Sequence, residues 1–381
     1  MGWYAKGRAQ ERIARLAGQG LDLLTFWHQC SDAIAPAVPY YLAPCWYTLD
    51  PASLLVTSHF QEGLPEIPHE WLAQEYFEDD FNKMADVARS ERGVATLHEA
   101  TGGDPSRSPR YERDMVPYGG DQEMVVGLRT RSGEIWGALG LYREKGQPLF
   151  DGDELEFMRS VAPHLAEGAR RGLLMGEATD PEGPEAPGLI VLRSDWSVES
   201  MTPGVDRWLS ELPDGDWEKG DLPSSVHSVA GRAMRTAEGT DSPGEIAVAR
   251  VLSRAGRWIV LHGASLVSEG SRRAAVIVEP AHPARIYPLL MRAYQLTDRE
   301  QDVTRLVLQG SSTAQIAEDL FISAHTVQEH LKSVFEKTGV RSRRDLVGKV
   351  FFSHYEPRVR DNEKRVAEGQ PVRGGPFGGA Q

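Results

Sequence analysis

The 381-residue chain reads as a multidomain protein: an α+β domain, a smaller α+β domain, and an all-α bundle of four helices at the C-terminal end. Three observations carry this reading. Between residues 40 and 174, short alternating apolar runs fall among helical stretches, and a second such set recurs between 189 and 282. Residues 176–188, GEATDPEGPEAPG, hold Pro, Gly and acids with almost nothing to bury, so they separate the two sets as a solvated linker. Residues 296–350 carry the helical apolar period, punctuated by caps. At 40% hydrophobic residues the chain has enough apolar material for ordinary cores.

In chain order, residues 8–35 place Ile13, Leu16, Ala17, Leu21 and Leu24 on one side and read as a helix. Beyond Pro36, Pro39 and Pro44, residues 40–47 and 54–60 read as strands joined by a turn at Asp50-Pro51. Residues 70–89 form an acidic helix holding Trp71, Tyr76, Phe77 and Phe81, and its Glu75, Glu78, Asp79 and Asp80 read as a solvated face. Residues 102–120 are a loop. Residues 124–129 and 136–142 alternate around Ser132-Gly133, the signal of a hairpin, and 152–174 return to helix. This order implies a central antiparallel sheet with helices to one side, over residues 1–175.

The second domain, residues 189–282, has strands at 189–192 and 197–200, helices at 205–209 and 225–236, and strands at 247–252, 258–265 and 274–278. A connecting helix over 283–295 puts Ile286, Leu289, Leu290, Ala293 and Tyr294 on one face. After the last domain, 296–356, the tail 357–381 turns charged and then Gly-rich and is expected to be disordered.

Within 296–350, Thr297 with Glu300 makes a capping box for a helix bearing Val303, Leu306 and Val307 and ending at Gly310. Ser312 with Gln315 opens a short helix that buries Ile316, Ala317 and Leu320. Only Phe321 and Ile322 precede Ser323, the N-cap of a third helix, so the two helices must cross steeply, as in a helix-turn-helix. On the third, Val327, Leu331, Val334 and Phe335 face inward, while Gln328, Glu329, Lys332 and Ser333 point outward. It stops at Gly339, and Ser342 with Asp345 caps a fourth helix whose apolar positions are Leu346, Val347, Val350 and Phe351. From 326 to 350 there are six Lys or Arg against three acids, on a chain of net charge -13. A basic end on an acidic protein suits a polyanion. The plainer reading is a helical bundle that binds nothing.

The residues Leu296, Thr297, Arg299, Glu300, Gly310, Ile316, Ala317, Ser323, Thr326, Val327, His330, Lys337, Gly339 and Val340 resemble, at fixed spacing, the LuxR-type helix-turn-helix. That resemblance implies double-stranded DNA as partner, the third helix in the major groove, and pairing of two copies through the fourth, at Leu346, Val347, Val350 and Phe351. Thr338 stands where Leu is more usual, and Gln328 where a basic residue is frequent. The first domain resembles a GAF domain in element order and size, which implies a small ligand between sheet and loops. The middle domain is similar to a PAS-like fold.

Thr326, Gln328, Glu329 and Lys332 are the expected base contacts, with Ser333 beside them; Ser312, Thr313, His330, Lys337, Arg341, Arg343 and Arg344 are placed for phosphate. Many aromatics fall in the first domain, and aromatics usually mean core. Tyr41, Trp46, Tyr76, Phe77 and Phe81 could instead line an amphipathic pocket for an effector. No phosphate-binding Gly-rich loop, Gly-x-Ser-x-Gly elbow or His-Glu-x-x-His spacing is present in the sequence, and His28 near Cys30 is a weak metal pattern, so no cofactor and no enzymatic activity are expected. Two cysteines, no run long enough for a membrane span and no secretion signal suit a cytoplasmic protein. The expected function is a dimeric, ligand-controlled transcription regulator; the alternative is control by a protein docked on the N-terminal domains.

Overall fold

The helix expected over residues 8–35 is two helices in the computed structural model, α1 (Gly2–Gly18) and α2 (Leu23–Ile34). The break has local causes. Gly20 takes a left-handed φ of 65°, and the Asp22 carboxylate caps α2 by accepting from the Thr25 amide at 3.0 Å. The structure describes residues 2–61, 70–174, 187–238, 246–268, 271–281, 291–308, 311–343 and 346.

Next come β1 (Cys45–Leu49), β2 (Val56–Phe60), α3 (Glu70–Phe77), α4 (Met84–Arg89), β3 (Val94–Thr96), α5 (Leu97–Ala100), β4 (Gly120–Arg129), β5 (Ile135–Glu144) and α6 (Gly152–Leu174). The strands form one antiparallel sheet of order β2-β1-β5-β4-β3. Helices cover both of its faces rather than one, which is why β4 and β5 are buried almost without interruption. On one face Trp46 stacks on Trp27 of α2 at 4.5 Å. On the other, Tyr47, Val125 and Ala138 join Leu72, Tyr76 and Ala88 of α3 and α4 in a core cluster. Gly127 is required there, since a Cβ would lie 2.4 Å from the Ala88 Cα.

The second sheet, order β7-β6-β10-β9-β8, is built from β6 (Gly188–Leu192), β7 (Val198–Met201), β8 (Val248–Leu252), β9 (Trp258–Ser268) and β10 (Ser271–Pro280), with α7 (Val205–Glu211) and α8 (Ser224–Glu238). Both sheets belong to one compact unit, Met1–Gly176, Gly183–Arg254 and Trp258–Pro280, and their apolar core is continuous. Helix α3 packs on α8 so closely that a Cβ on Gly231 would lie 2.1 Å from the Ala73 carbonyl oxygen. Across the same junction Arg250 clasps the fully buried Asp50 carboxylate at 2.6 and 2.8 Å.

The C-terminal helices α9 (Asp298–Leu308), α10 (Thr313–Asp319) and α11 (Ala324–Thr338) belong to a second unit. Both expected capping boxes form: the Thr297 amide donates to Glu300 at 2.7 Å and the Glu300 amide to the Thr297 hydroxyl at 3.3 Å, and Ser312 and Gln315 reciprocate at 3.3 and 2.7 Å. Ser323 caps α11, and Gly339 closes it with a φ of 69°. Val303, Val307, Ile316, Val327, Leu331, Val334 and Leu346 are buried together with Met291, Ala293 and Leu296. Phe335 is only half-buried; Thr338 is the buried residue on its side, and its hydroxyl donates to the Val334 carbonyl at 2.7 Å, so the polar group is satisfied. Of the connecting helix, Ile286, Leu289 and Leu290 lie outside the described residues, as do Gly310, the linker's 176–186 and the tail.

Candidate functional site

Helix α11 sorts its residues by face. With Val327, Leu331 and Val334 inward, Thr326, Gln328, Glu329 and Lys332 are exposed, and they share the side chosen by the 3.6-residue turn. The turn leading into α11 bends at Phe321, whose left-handed φ of 54° leaves its ring 95% exposed. The Thr313 hydroxyl accepts from Gln328 Nε2 at 3.3 Å, so the start of α10 holds that carboxamide. Ser312 and Arg341 are exposed, while Thr313, His330 and Arg343 are half-buried. Arg343 also donates through Nη2 to the Ser311 carbonyl.

Ser333 and Lys337 are placed differently from the other candidates. Both are engaged with the buried Glu300 carboxylate of α9, Ser333 Oγ at 2.6 Å and Lys337 Nζ at 2.6 Å. Burial alone would raise the Glu300 carboxyl, but the bonds from Lys337, Ser333 and the Thr297 amide outweigh it and hold the group below the usual range. Glu300 thus fixes the angle between α9 and α11. Sequence reading saw it only as a cap. Leu346 is fully buried within its own unit; Arg344, Val347, Val350 and Phe351 lie outside the described residues.

In the first unit, the five aromatics expected to line a pocket do not meet in one. Tyr41 is exposed. Trp46 donates its indole N–H to Ser31 Oγ at 3.0 Å on the α2 face. Tyr76 bridges β2 by donating to the Leu54 carbonyl and accepting from the Val56 amide, each at 2.9 Å. Phe77 packs edge-on against Trp196, and Phe81 lies under Arg107. A cleft of about 60 Å³ does exist, lined by Tyr47, Trp71, Tyr118, Tyr142, Glu123 and Arg110 among others. Tyr47 stacks on His59 at 4.7 Å and meets Trp71 edge-on.

The acidic face expected to be solvated folds inward at this cleft. Arg110 is buried and ion-paired with Glu123 at 2.5 Å, Glu75 at 3.6 Å and Asp80 at 4.0 Å. Only Glu78 and Asp79 keep to the surface side of that cluster, since one guanidinium cannot be buried without carboxylates around it. Burial pushes the Glu75 carboxyl up to about 7, against the pull of Arg110 and the Met84 amide. Among the described residues Arg110 Nε has no hydrogen-bond partner. Cys30 and Cys45 are free, buried thiols, and burial raises both, Cys45 to about 12. No group of three His, Cys, Asp or Glu among the described residues is placed to hold a metal, and no described helix is long and apolar enough to cross a membrane.

Two helices joined by a tight turn, the second offering an exposed polar start above a buried stripe, define a helix-turn-helix DNA-binding module. Residues 294–350 match the family described as bacterial regulatory proteins, luxR family, so the C-terminal segment is a LuxR-type helix-turn-helix domain. Two proteins named as HTH-type transcriptional regulators, from Mycobacterium bovis and Mycobacterium tuberculosis, are 52% identical over 52 residues, 14% of this chain and 6% of theirs. The chain therefore spans a small fraction of those relatives. Among solved structures, the phage VqmA-DPO complex aligns over 45% of this chain and 84% of that one, with 13% identity and a TM-score of 0.18. The E. coli DhaR(N)-DhaL complex aligns over 72% and 88%, with 11% identity and a TM-score of 0.21. Overlap this low carries no weight for fold or function.

Proposed function

We propose that the protein is a sequence-specific transcription regulator that reads DNA through the first turns of α11 as a homodimer, under control of a small effector held by a GAF-like first module. The observation that carries the reading is the exposed set Thr326, Gln328, Glu329 and Lys332 on the helix whose opposite face is fully buried. Side chains at the start of such a helix reach base edges, and a carboxamide like that of Gln328 matches the N6 and N7 edge of adenine. Thr313 orients that carboxamide beforehand. Ser312, Arg341 and Arg343 supply phosphate contacts, which position the domain without reading sequence. One module buries too little surface for a specific site alone, so two copies are needed; with Leu346 buried within its own unit, Val347, Val350 and Phe351 are the proposed pairing positions.

The cleft of Tyr47, Trp71 and Tyr142 supports effector control: an aromatic-walled cavity with a buried guanidinium N–H suits a small molecule carrying one acceptor oxygen. The test is selection of binding sites from randomised duplexes by the purified chain, followed by anisotropy titration with and without cell metabolite extract. A selected motif bound saturably, with affinity altered by a low-molecular-weight fraction, is expected. Binding without sequence preference would defeat the regulator reading; an effect confined to the protein fraction would favour control by a docked partner.

A further inference from the structure

We infer that the first module carries a second binding site, for a primary ammonium group on a short apolar body, where β4 meets the start of α6. The cavity there measures about 390 Å³, within the range small ligands occupy. Gln122 of β4 lines it and is only 2% exposed. Its Nε2 donates to the Gln147 carbonyl at 2.8 Å, which fixes the other end of the carboxamide as oxygen. That oxygen is buried and has no hydrogen-bond partner among the described residues. A buried acceptor left without a donor costs about 1–3 kcal/mol, so the site calls for an N–H or O–H. The β4–β5 register shifts between Gly120 and Gln122, the kind of irregularity that re-aims a side chain beside a binding site.

Charge decides which donor. Glu99, Glu123 and Asp151 line the cavity against Arg92, with His98 beside them. Arg92 is held by Glu99 at 2.7 Å and Glu123 is paired with Arg110 at 2.5 Å, so Asp151 is the lining acid left over and it makes the wall net negative. Anions are repelled and cations concentrated. The α6 N-terminus offers no anion site, because Asp151 and Glu154 already close on each other's amides at 2.8 and 3.0 Å. Leu149 and Phe150 give the apolar wall along which a short alkyl chain lies. An alkylammonium is the ligand that meets all three features. The inference is independent of effector control through the neighbouring cleft, although Glu123 lines both.

Calorimetric titration of the full chain in phosphate buffer, with n-butylamine, n-butanol and butyrate as probes, tests it. Butylamine is expected to bind saturably, about ten-fold or more tighter than butanol, and butyrate not at all. Gln122→Leu removes the acceptor while keeping bulk, and should weaken butylamine about ten-fold or more. Should that variant fail to fold, Glu99→Gln, on a half-exposed side chain, decides by weakening butylamine about three-fold. No saturable butylamine binding, equal binding of butyrate, or an affinity unmoved by the deciding variant would overturn the site.

Discussion

Glu300→Ala tests whether the α9–α11 angle rests on one carboxylate. The wild-type group accepts from the Thr297 amide at 2.7 Å and from Ser333 and Lys337 at 2.6 Å each. Bonds to a charged acceptor are worth about 1.5–3 kcal/mol each when the donors cannot find water. Here Lys337 is about one-third exposed and Thr297 lies at an exposed helix start, so each loss is cushioned and the total comes to about 2–4 kcal/mol. That corresponds to a rise of about 30-fold or more in local opening. Hydrogen exchange of peptides from 298–308 and 324–338 reads this directly in the full chain. Glu300→Gln keeps one acceptor oxygen and should lose about half as much. The pH dependence has a fixed sign. Because the folded carboxyl lies below its ordinary range, its contribution is present above the unfolded value near 4.5 and is lost as pH falls through the lower, folded value. The gap between wild type and Glu300→Ala should therefore narrow from pH 6 to pH 3. Unchanged exchange in Glu300→Ala would refute the reasoning.

Gln328→Ala should relax preference at one base position by about 1–3 kcal/mol, read by titrating single-base site variants. Arg341→Ala should weaken all sites alike and reduce the salt slope by about 1, read by titration across salt concentrations. Asp50→Ala removes the buried carboxylate that Arg250 clasps between the two sheets and should cost about 3–5 kcal/mol; all nine tryptophans belong to that unit, so fluorescence in urea reports it. Glu75, raised to about 7 from 4.5, withdraws its contribution as pH rises through about 7. Glu75→Gln should therefore flatten the decline in urea midpoint between pH 5 and pH 8.

What was legible in the sequence is what local hydrogen bonding decides. Ser312 with Gln315, Thr297 with Glu300, Ser323 and Gly339 act within three or four residues, and every one of those caps formed. The break between α1 and α2 was also written locally, in Gly20 followed by Asp22, but the apolar stripe running past it masked the signal. Distant partnerships left no such trace. Glu300 meets Ser333 and Lys337 across more than thirty residues, and Arg110 turns Glu75 and Asp80 from an apparent surface cluster into a buried one. The strand period could have divided the aromatics: Trp46 and Tyr47 are neighbours on β1 and face opposite sides of the sheet. Trp46 went to the α2 core and Tyr47 to the cleft.

Helix α3 shows why the two sheets form one unit rather than two domains on a tether. Trp71 at its start walls the cleft, Ala73 abuts Gly231 of α8, and Phe77 at its end packs on Trp196 of the second sheet's turn. This eight-residue helix thus serves a cavity, an interface and a neighbouring core. Arg235 adds a bond from α8 to the Phe77 carbonyl at 2.9 Å, and the His59 amide donates to Asp214 at 2.6 Å. A close-packed interior offers no slack for α3 to shift alone. On the proposed effector reading, a ligand that pushes α3 aside must move α8 with it, because the approach of Gly231 to Ala73 leaves no gap between the two helices.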